Sequence, residues 1–212
     1  MELWNEIIVE KSQKVLFQLK GEVDFVIVGG WACWLYAKTV KSKDIDLYID
    51  FKDFFRLQNK FSQQGIFINF NKKLKKYEAK IDEIDIDIYT PHYCPLLISC
   101  KDVFSGKWFE IIEGFKVILP EPLLILKLNA EENRKQTIKG FKDRVDILSL
   151  LYKLDLNKSL LSKLEMRYRI KYKERIKEII KDSNEEYSYF FPESDNLRKL
   201  KKLKNELLEG LR

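Results

Sequence analysis

Histidine, cysteine and long apolar runs are scarce in this sequence of 212 residues. The only histidine, His92, follows an acidic segment, and a lone loop histidine is more often structural than catalytic. The cysteines Cys33, Cys94 and Cys100 lack zinc-ligand spacing and leave one unpaired in any disulfide scheme. No apolar run approaches the length of a membrane span, and the first residues lack the basic region of a signal peptide. We therefore expect a soluble cytoplasmic protein with no membrane partner.

The charge balance points to an anionic partner. Hydrophobic residues make up 45% of the chain and charged residues 34%, which suits a sizeable core in one α/β domain with a helical appendage. The formal net charge of +6 favours a negatively charged ligand, and nucleotides and RNA both qualify. Lysine far outnumbers arginine, so part of this charge can also serve to solvate helix faces.

Two adjacent glycines end the first apolar run. The segment 23–28 is rich in β-branched and aromatic residues, which predicts a buried strand, and the segment 31–39 has helical spacing. Gly29 and Gly30 therefore lie in a turn between a strand and a helix. Such a turn lets the backbone approach a ligand closely, and the positive end of the following helix favours phosphate. Two adjacent glycines are also common in ordinary turns.

The next predicted strand carries two carboxylates on one face. In the segment Asp44–Ile49, side chains alternate, so that Asp44 and Asp46 point the same way while Ile45 and Leu47 point into the core. Two like charges side by side are unfavourable without a compensating cation. Carboxylate oxygens at this spacing suit Mg²⁺, which proteins usually hold with a few carboxylates and substrate phosphates.

A third acidic strand is predicted at Glu83–Tyr89. Its isoleucines share one face, and Glu83, Asp85 and Asp87 share the other. This strand can supply the remaining carboxylate of a two-metal site for phosphoryl or nucleotidyl transfer. Both Asp85 and Asp87 are candidates for that carboxylate.

These residues together resemble a known family. Val28-Gly29-Gly30, thirteen residues, Asp44-Ile45-Asp46-Leu47 and a later strand aspartate resemble the DNA-polymerase-β-type nucleotidyltransferase superfamily. The lead-in Lys41-Ser42-Lys43-Asp44 is also similar, although many relatives carry arginine at the position of Lys41. The resemblance implies Mg²⁺ or Mn²⁺ as cofactor and a nucleoside triphosphate as substrate. It also favours Asp87 over Asp85.

A second stretch resembles the AbiEii-type abortive-infection nucleotidyltransferases and their minimal relatives. It comprises Pro120–Ala130 and Lys142–Ile147. In that group a helix lysine and the first aspartate of a basic Asp-x-x-Asp stretch lie near the nucleotide, and the matching residues are Lys127 and Asp143. The alternatives are that Lys127 is a solvated helix lysine and that Asp143 is a helix-surface residue supporting Lys127 or Arg144.

The expected architecture is an α+β fold with a small mixed sheet. Residues 1–119 form the nucleotidyltransferase core with the metal site, and residues 120–212 form a helical domain that closes the nucleotide cleft. The C-terminal region is expected to form two basic helices, at 158–181 and 195–211, whose lysines either solvate a helix face or track RNA phosphates. The aromatic segment Tyr187–Pro192 is either a docking plug or a surface on which bases stack.

The expected reaction follows from the resemblance. Asp44, Asp46 and Asp87 bind the metal, Gly29, Gly30 and Lys43 bind the triphosphate, and Lys127 stabilises the leaving pyrophosphate, with Asp143 beside the nucleotide. The toxin-like resemblance implies that the acceptor hydroxyl belongs to RNA, in particular tRNA, in a toxin–antitoxin-like system with a cognate partner protein. The alternatives are nucleotidylation of a protein, as by an antitoxin, or of a small molecule, and a non-catalytic nucleotide-binding module.

Overall fold

The computed structural model describes residues 5–211, and within that range the chain forms seven strands and nine α-helices. The strands are β1 (Phe25–Val28), β2 (Ile45–Ile49), β3 (Asn69–Asn71), β4 (Lys76–Ile81), β5 (Ile84–Tyr89), β6 (Phe109–Ile112) and β7 (Phe115–Ile118). The helices are α1 (Glu6–Leu19), α2 (Gly29–Ala37), α3 (Phe51–Gln63), α4 (Cys100–Gly106), α5 (Pro120–Arg134), α6 (Ile138–Lys153), α7 (Lys158–Tyr168), α8 (Tyr172–Asp182) and α9 (Leu197–Gly210), with a 3₁₀ helix at Glu185–Tyr189. None of the helices in this range is long and apolar enough to cross a membrane.

The chain divides into two compact units. The first comprises the residues up to Leu35 together with Lys41–Leu119, and it contains the sheet. The second comprises Tyr36–Val40 and the chain from Pro120 onward, and it contains α5 to α9.

The strands of the first unit form one mixed sheet with the order β3-β4-β5-β2-β1-β7-β6. β1 pairs with β7 in parallel and β2 pairs with β5 in parallel, whereas the remaining pairs are antiparallel. The predicted α+β fold with a mixed sheet is therefore confirmed. β6 and β7 form an antiparallel hairpin around Glu113-Gly114.

Burial along the strands follows the sequence pattern. All four residues of β1 are buried, as expected for an uninterrupted apolar run in the middle of a sheet. In β5, Ile84, Ile86 and Ile88 are completely buried while Asp85 is exposed and Asp87 is half-buried. Each buried isoleucine stabilises the fold by roughly 1.5–3 kcal/mol. The alternation therefore fixes which face of β5 carries the carboxylates.

Local sequence signals set several helix ends. The Asp50 side chain accepts a hydrogen bond from the Phe51 N–H and so caps the helix after β2. Thr137 caps α6 by accepting a hydrogen bond from the Gly140 N–H. Pro120 opens α5, where its missing N–H costs no hydrogen bond.

The C-terminal helices differ in one respect from the prediction. The prediction of a single helix at 158–181 is wrong, because this segment forms two helices, α7 and α8, that are separated by a turn. Arg169 ends α7 in the left-handed region with φ of 53°, which turns the backbone before α8 begins at Tyr172.

The aromatic segment after α8 is folded into the second unit. Tyr187 is completely buried and its hydroxyl donates a hydrogen bond to the Ile180 carbonyl, while Phe190 is 8% exposed and packs near Tyr152. These two rings are not available to stack on bases, which favours the docking interpretation, whereas Tyr189 and Phe191 are half-buried. In α9, Leu200 and Leu203 are buried, as expected for the apolar stripe of an amphipathic helix.

Candidate active site

Two parallel strands of the first unit bring the predicted carboxylates together. Asp46 on β2 is the register partner of Asp87 on β5. Register partners on adjacent strands project from the same face of the sheet, so these two side chains lie side by side. Asp44 lies one residue before β2, near enough for its negative charge to act on Asp87. The structure therefore brings Asp44, Asp46 and Asp87 into one half-buried cluster, here called the carboxylate cluster.

Gly29 has a specific reason to be glycine. Its φ of +68° lies in the left-handed region, and a Cβ added there would overlap the Asp46 carboxylate, with its Cγ only 2.9 Å away. Any other residue would meet both backbone strain and a steric clash. The glycine pair thus turns the chain from β1 into α2, which begins at Gly29 itself, and leaves room for Asp46 beside the turn.

Asp87 is held by a lysine from the neighbouring strand. Lys76 Nζ lies 2.5 Å from Asp87 and 3.1 Å from Glu78, and the Lys76 side chain is only 12% exposed. Burial raises the pKa of Asp87, the negative charges of Glu78 and Asp44 add to this, and Lys76 offsets it only in part. Burial lowers the pKa of Lys76, but its hydrogen bonds to two carboxylates outweigh burial and leave the pKa raised. Asp87 is therefore a more basic carboxylate than usual.

Asp85 occupies a different environment. Its register partner on β4 is Lys80, with the two charged groups 3.4 Å apart and both side chains 61% exposed. Asp87, in contrast, is 21% exposed and stands opposite Asp46. An exposed ion pair in water contributes little, so Asp85 has the properties of a surface residue.

The chemistry of the carboxylate cluster fits a divalent cation. Its donors are carboxylate oxygens, which Mg²⁺ and Mn²⁺ prefer, and Gly29 leaves a cradle beside Asp46 that a Cβ would fill. Among residues 5–211, no group of three or more histidine, cysteine, aspartate or glutamate side chains is already arranged as a metal site. Part of the reason is that Asp87 already has a cation beside it, the ammonium of Lys76.

Lys127 and Asp143 belong to a buried ion cluster of the second unit. Lys127 Nζ lies 3.0 Å from Asp143 and 2.7 Å from Asp146. Arg134 approaches Asp143 at 2.6 Å, and Lys142 approaches Asp146 at 2.5 Å. Lys127 is 7% exposed and Asp143 is 1% exposed. The alternatives of a solvated Lys127 and a helix-surface Asp143 are therefore wrong, because α5 and α6 bury both side chains.

The charges of this cluster compensate one another. Burial acts to raise the pKa of Asp143, but the positive charges of Lys127 and Arg134 outweigh it and leave the pKa lowered. Arg144 continues the network in the same unit through Glu131 and Glu186. The ion pairs of Arg144 with Glu131 and Glu186 join α5 and α6 to the 3₁₀ helix.

Lys76 is the residue of this site that the sequence analysis did not identify. The signal was present, because Lys76, Glu78 and Lys80 alternate along one segment as Asp85 and Asp87 do along the next. Cross-strand pairing of opposite charges would have predicted the contacts. Lys43, the other predicted ligand of the triphosphate, is half-buried just before Asp44.

The comparisons agree with this geometry. Residues 6–113, about half of the chain, match the family described as nucleotidyltransferase of unknown function (DUF6036). No curated protein sequence matches the chain. The crystal structure of ANT(2'')-Ia in complex with adenylyl-2''-tobramycin is similar, with a TM-score of 0.51, 15% identity and coverage of 76% of this chain and 96% of that one. A candidate nucleotidyltransferase from H. pylori also has a TM-score of 0.51, with 16% identity and coverage of 98% of this chain and 94% of that one.

At these identities the two solved structures show a shared fold. The family match covers β1, β2 and β5 and therefore includes the whole carboxylate cluster. The chain belongs to the nucleotidyltransferase family DUF6036.

Proposed function

We propose that the protein transfers a nucleoside monophosphate from a nucleoside triphosphate to an acceptor hydroxyl, with release of pyrophosphate. The observation that carries this proposal is the pairing of Asp46 with Asp87 beside the Gly29 turn. The α–β phosphoanhydride bond breaks as the acceptor oxygen bonds to the α-phosphorus. The acceptor hydroxyl gives up its proton, and pyrophosphate takes the electron pair of the broken bond.

The glycine turn is the proposed seat of the triphosphate. Gly29 and Gly30 form the first residues of α2, and backbone N–H groups at the start of a helix favour phosphate oxygens. The left-handed Gly29 lets the chain turn with no side chain between the backbone and the ligand. Lys43, which directly precedes Asp44 and is half-buried, is proposed as a further phosphate contact.

Asp44, Asp46 and Asp87 are proposed to hold Mg²⁺ or Mn²⁺. When bound, the ion supplies positive charge that neutralises the phosphates and lowers the pKa of the acceptor hydroxyl. Asp87 is proposed to take the proton of that hydroxyl on its carboxylate.

The proposed acceptor is RNA, which is what the resemblance of Pro120–Ala130 and Lys142–Ile147 to AbiEii-type nucleotidyltransferases implies. Positive charge supports this choice, because a protein with a formal net charge of +6 attracts a polyanion and repels a cationic small molecule. A tRNA and a toxin–antitoxin-like setting are parts of the same proposal. The roles of Lys127 and Asp143 near the nucleotide stay predictions.

The test is a labelling experiment. The protein is incubated with each α-labelled nucleoside triphosphate, Mg²⁺ and total cellular RNA, and label is then measured separately in RNA, protein and small-molecule fractions. We expect label in RNA with the unmutated protein and none with Asp44→Ala or Asp46→Ala.

Asp87→Asn and Asp85→Asn provide the matched comparison, because both remove one negative charge from the same face of β5. We expect Asp87→Asn to abolish labelling and Asp85→Asn to retain it. Label in the small-molecule or protein fraction would replace the RNA acceptor by that class. Nucleotide binding without label in any fraction would favour the non-catalytic module.

A further inference from the structure

The turn between β3 and β4 concentrates positive charge at one edge of the sheet. Its sequence is Asn71-Lys72-Lys73-Leu74-Lys75-Lys76, and Lys72, Lys73 and Lys75 are all exposed. The Leu74 N–H donates a 3.0 Å hydrogen bond to the Asn71 side chain, and Lys75 has φ of 47°. The turn therefore has a defined conformation, and β3 is the last strand at this edge.

The charge on this turn is not compensated by the protein. Within residues 5–211, Lys72, Lys73 and Lys75 form no ion pair. Other lysines of the first unit do have carboxylate partners, among them Lys11 with Glu83, Lys60 with Glu22, Lys76 with Asp87, Lys80 with Asp85 and Lys116 with Asp24. Three adjacent cations without counter-charges favour an anionic ligand.

Aromatic rings lie next to these lysines. Phe70 is 37% exposed and Tyr93 is 41% exposed, with their ring centroids 4.6 Å apart. Tyr77 contacts both rings, at 5.0 Å from Phe70 and 5.9 Å from Tyr93. Phe54, which is 3% exposed, supports Tyr77 from the core at 4.4 Å. The two outer rings are thus presented to solvent on a packed base, which reduces the entropy lost when a ligand stacks on them.

The turn leads directly to the carboxylate cluster. Lys76, the residue that follows Lys75, is the one that contacts Asp87. Phe70 and Tyr77 lie on the opposite face of the sheet from Asp87, because Tyr77 pairs with Ile88 and Glu78 pairs with Asp87, so a strand stacked on the rings would cross the turn to bring its end to Asp87.

The C-terminal region, where the sequence also suggested an RNA surface, has a different character. Lys199 pairs with Glu193, Lys202 pairs with Glu206, and Lys204 donates a hydrogen bond to the Lys181 carbonyl. In the aromatic segment of that region, Tyr187 and Phe190 are buried and Tyr189 and Phe191 are half-buried. The combination of uncompensated lysines and exposed rings is found at the β3–β4 turn.

We propose that the surface formed by Lys72, Lys73, Lys75, Phe70 and Tyr93 binds the single-stranded end of an RNA acceptor. The lysines bind phosphates, and the two rings stack on bases. A single strand fits because bases in a duplex do not offer their faces for stacking. This inference rests on the proposed function only in taking RNA as the acceptor.

The test measures binding apart from catalysis. A fluorescein-labelled single-stranded RNA of 12 nucleotides and mixed sequence is titrated with protein in EDTA, with no nucleoside triphosphate, and its anisotropy is followed between 0.05 and 0.3 M salt. The triple variant Lys72→Gln, Lys73→Gln, Lys75→Gln is expected to bind about 100-fold more weakly at 0.1 M salt. The slope of log affinity against log salt is expected to fall by about 2, which is about 0.7 for each lost phosphate contact.

The matched control is Lys199→Gln, Lys201→Gln, Lys202→Gln, which changes the net charge equally. It is expected to weaken binding no more than about threefold, because exposed distant charges are screened. Equal losses in the two triple variants would show attraction by overall charge and overturn the proposal. Unchanged binding in the turn variant would overturn it as well, and so would displacement of the RNA by polyglutamate at equal charge concentration.

The rings are tested separately with Phe70→Leu and Tyr93→Leu. Each is expected to weaken RNA binding about tenfold without changing the salt slope, whereas Phe55→Leu, at an aromatic residue that is 58% exposed on α3, is expected to have no effect. The labelling experiment then separates the two proposals. Label transfer to RNA that is insensitive to the turn variants overturns this surface alone, and RNA binding at the turn without label transfer overturns the nucleotidyl transfer alone.

Discussion

Two groups of carboxylates, one in each unit, differ in how their negative charge is balanced. In the second unit, Asp143 and Asp146 are 1% and 0% exposed and meet Lys127, Lys142 and Arg134 at 2.5–3.0 Å. In the carboxylate cluster of the first unit, three half-buried aspartates lie together and Lys76 contacts Asp87. The pKa of Asp143 is lowered, whereas the pKa of Asp87 is raised.

The comparison distinguishes structural from functional charge. Carboxylates whose countercharges come from the same protein hold elements together, and removing one leaves buried cations without partners. Neighbouring carboxylates that concentrate negative charge, as Asp44 does beside Asp87, favour the binding of added cations. The buried ion cluster of the second unit should therefore govern stability and the carboxylate cluster of the first unit should govern activity, and the predictions below separate the two properties.

The largest expected effect is on turnover. Asp46→Asn should lower the rate of label transfer by at least about 10³-fold, because stabilisation by a bound ion is worth several kcal/mol in the transition state. The free energy of unfolding, measured by urea denaturation, should stay the same or rise by up to about 1 kcal/mol as like charges are relieved. A large loss of stability would show instead that Asp46 is a structural residue.

Removing a carboxylate from the buried ion cluster of the second unit should instead lower stability. Asp143→Asn should lower the free energy of unfolding by about 3 kcal/mol or more, because Arg134 and Lys127 lose a buried partner. Asp85→Asn is the control, since it removes an exposed pair and should change stability by less than about 0.5 kcal/mol. Equal stability of the two variants would contradict the structural role of the buried cluster.

The two groups should also differ in their pH dependence. The folded pKa of Asp143 is lowered, so its stability contribution is full above the unfolded value of about 3.9 and is lost as pH falls through the folded pKa. The folded pKa of Asp87 is raised, so its contribution is present below the unfolded pKa and is lost as pH rises through the folded pKa. Urea denaturation from pH 3 to pH 7 should show the deficit of Asp143→Asn shrinking below about pH 4. The wild type should lose stability relative to Asp87→Asn as pH rises, and parallel trends would refute the assignment.

Gly29 and Gly65 permit a test of the turn beside Asp46. Both have a positive φ, of +68° and +74°, but an added Cβ meets Asp46 only at Gly29 and nothing within 4 Å at Gly65. Gly65→Ala should cost about 1 kcal/mol of backbone strain. Gly29→Ala should cost about 2–3 kcal/mol, because a steric clash adds to that strain, and it should also reduce label transfer. Equal costs at the two glycines would mean that Asp46 moves aside without loss.

Much of the first unit could be predicted from the sequence because its signals are local. The isoleucine alternation of β5, the glycine pair after β1 and the N-cap at Asp50 each specify a conformation within a few residues. The sequence therefore placed Asp44 and Asp46 on one face of one predicted strand, and Asp87 on the polar face of another, before any pairing was known.

What the sequence did not predict depends on which elements become neighbours. Lys76 reaches Asp87 only because β4 pairs with β5, and the burial of Lys127 depends on α6 supplying Asp143 and Asp146. A charged residue in a helical pattern is usually solvated, so its burial becomes visible only with its partners. The break at Arg169 was missed for another reason, since the left-handed C-cap is arginine rather than the usual glycine.

The smallest expected effect concerns the cation that the protein itself provides. Lys76→Met removes the ammonium from Asp87, and Lys80→Met removes an equal charge from the exposed Asp85 on the same strand pair. Under the proposed function Lys76 would compete with a metal ion for Asp87, so its loss should tighten Mn²⁺ binding by about tenfold, measured by electron paramagnetic resonance of free Mn²⁺. Lys80→Met should leave the affinity unchanged. Unchanged Mn²⁺ affinity in both variants would remove Asp87 from the proposed metal ligands, and an equal gain in both would mean that net charge, rather than the contact with Asp87, sets the affinity.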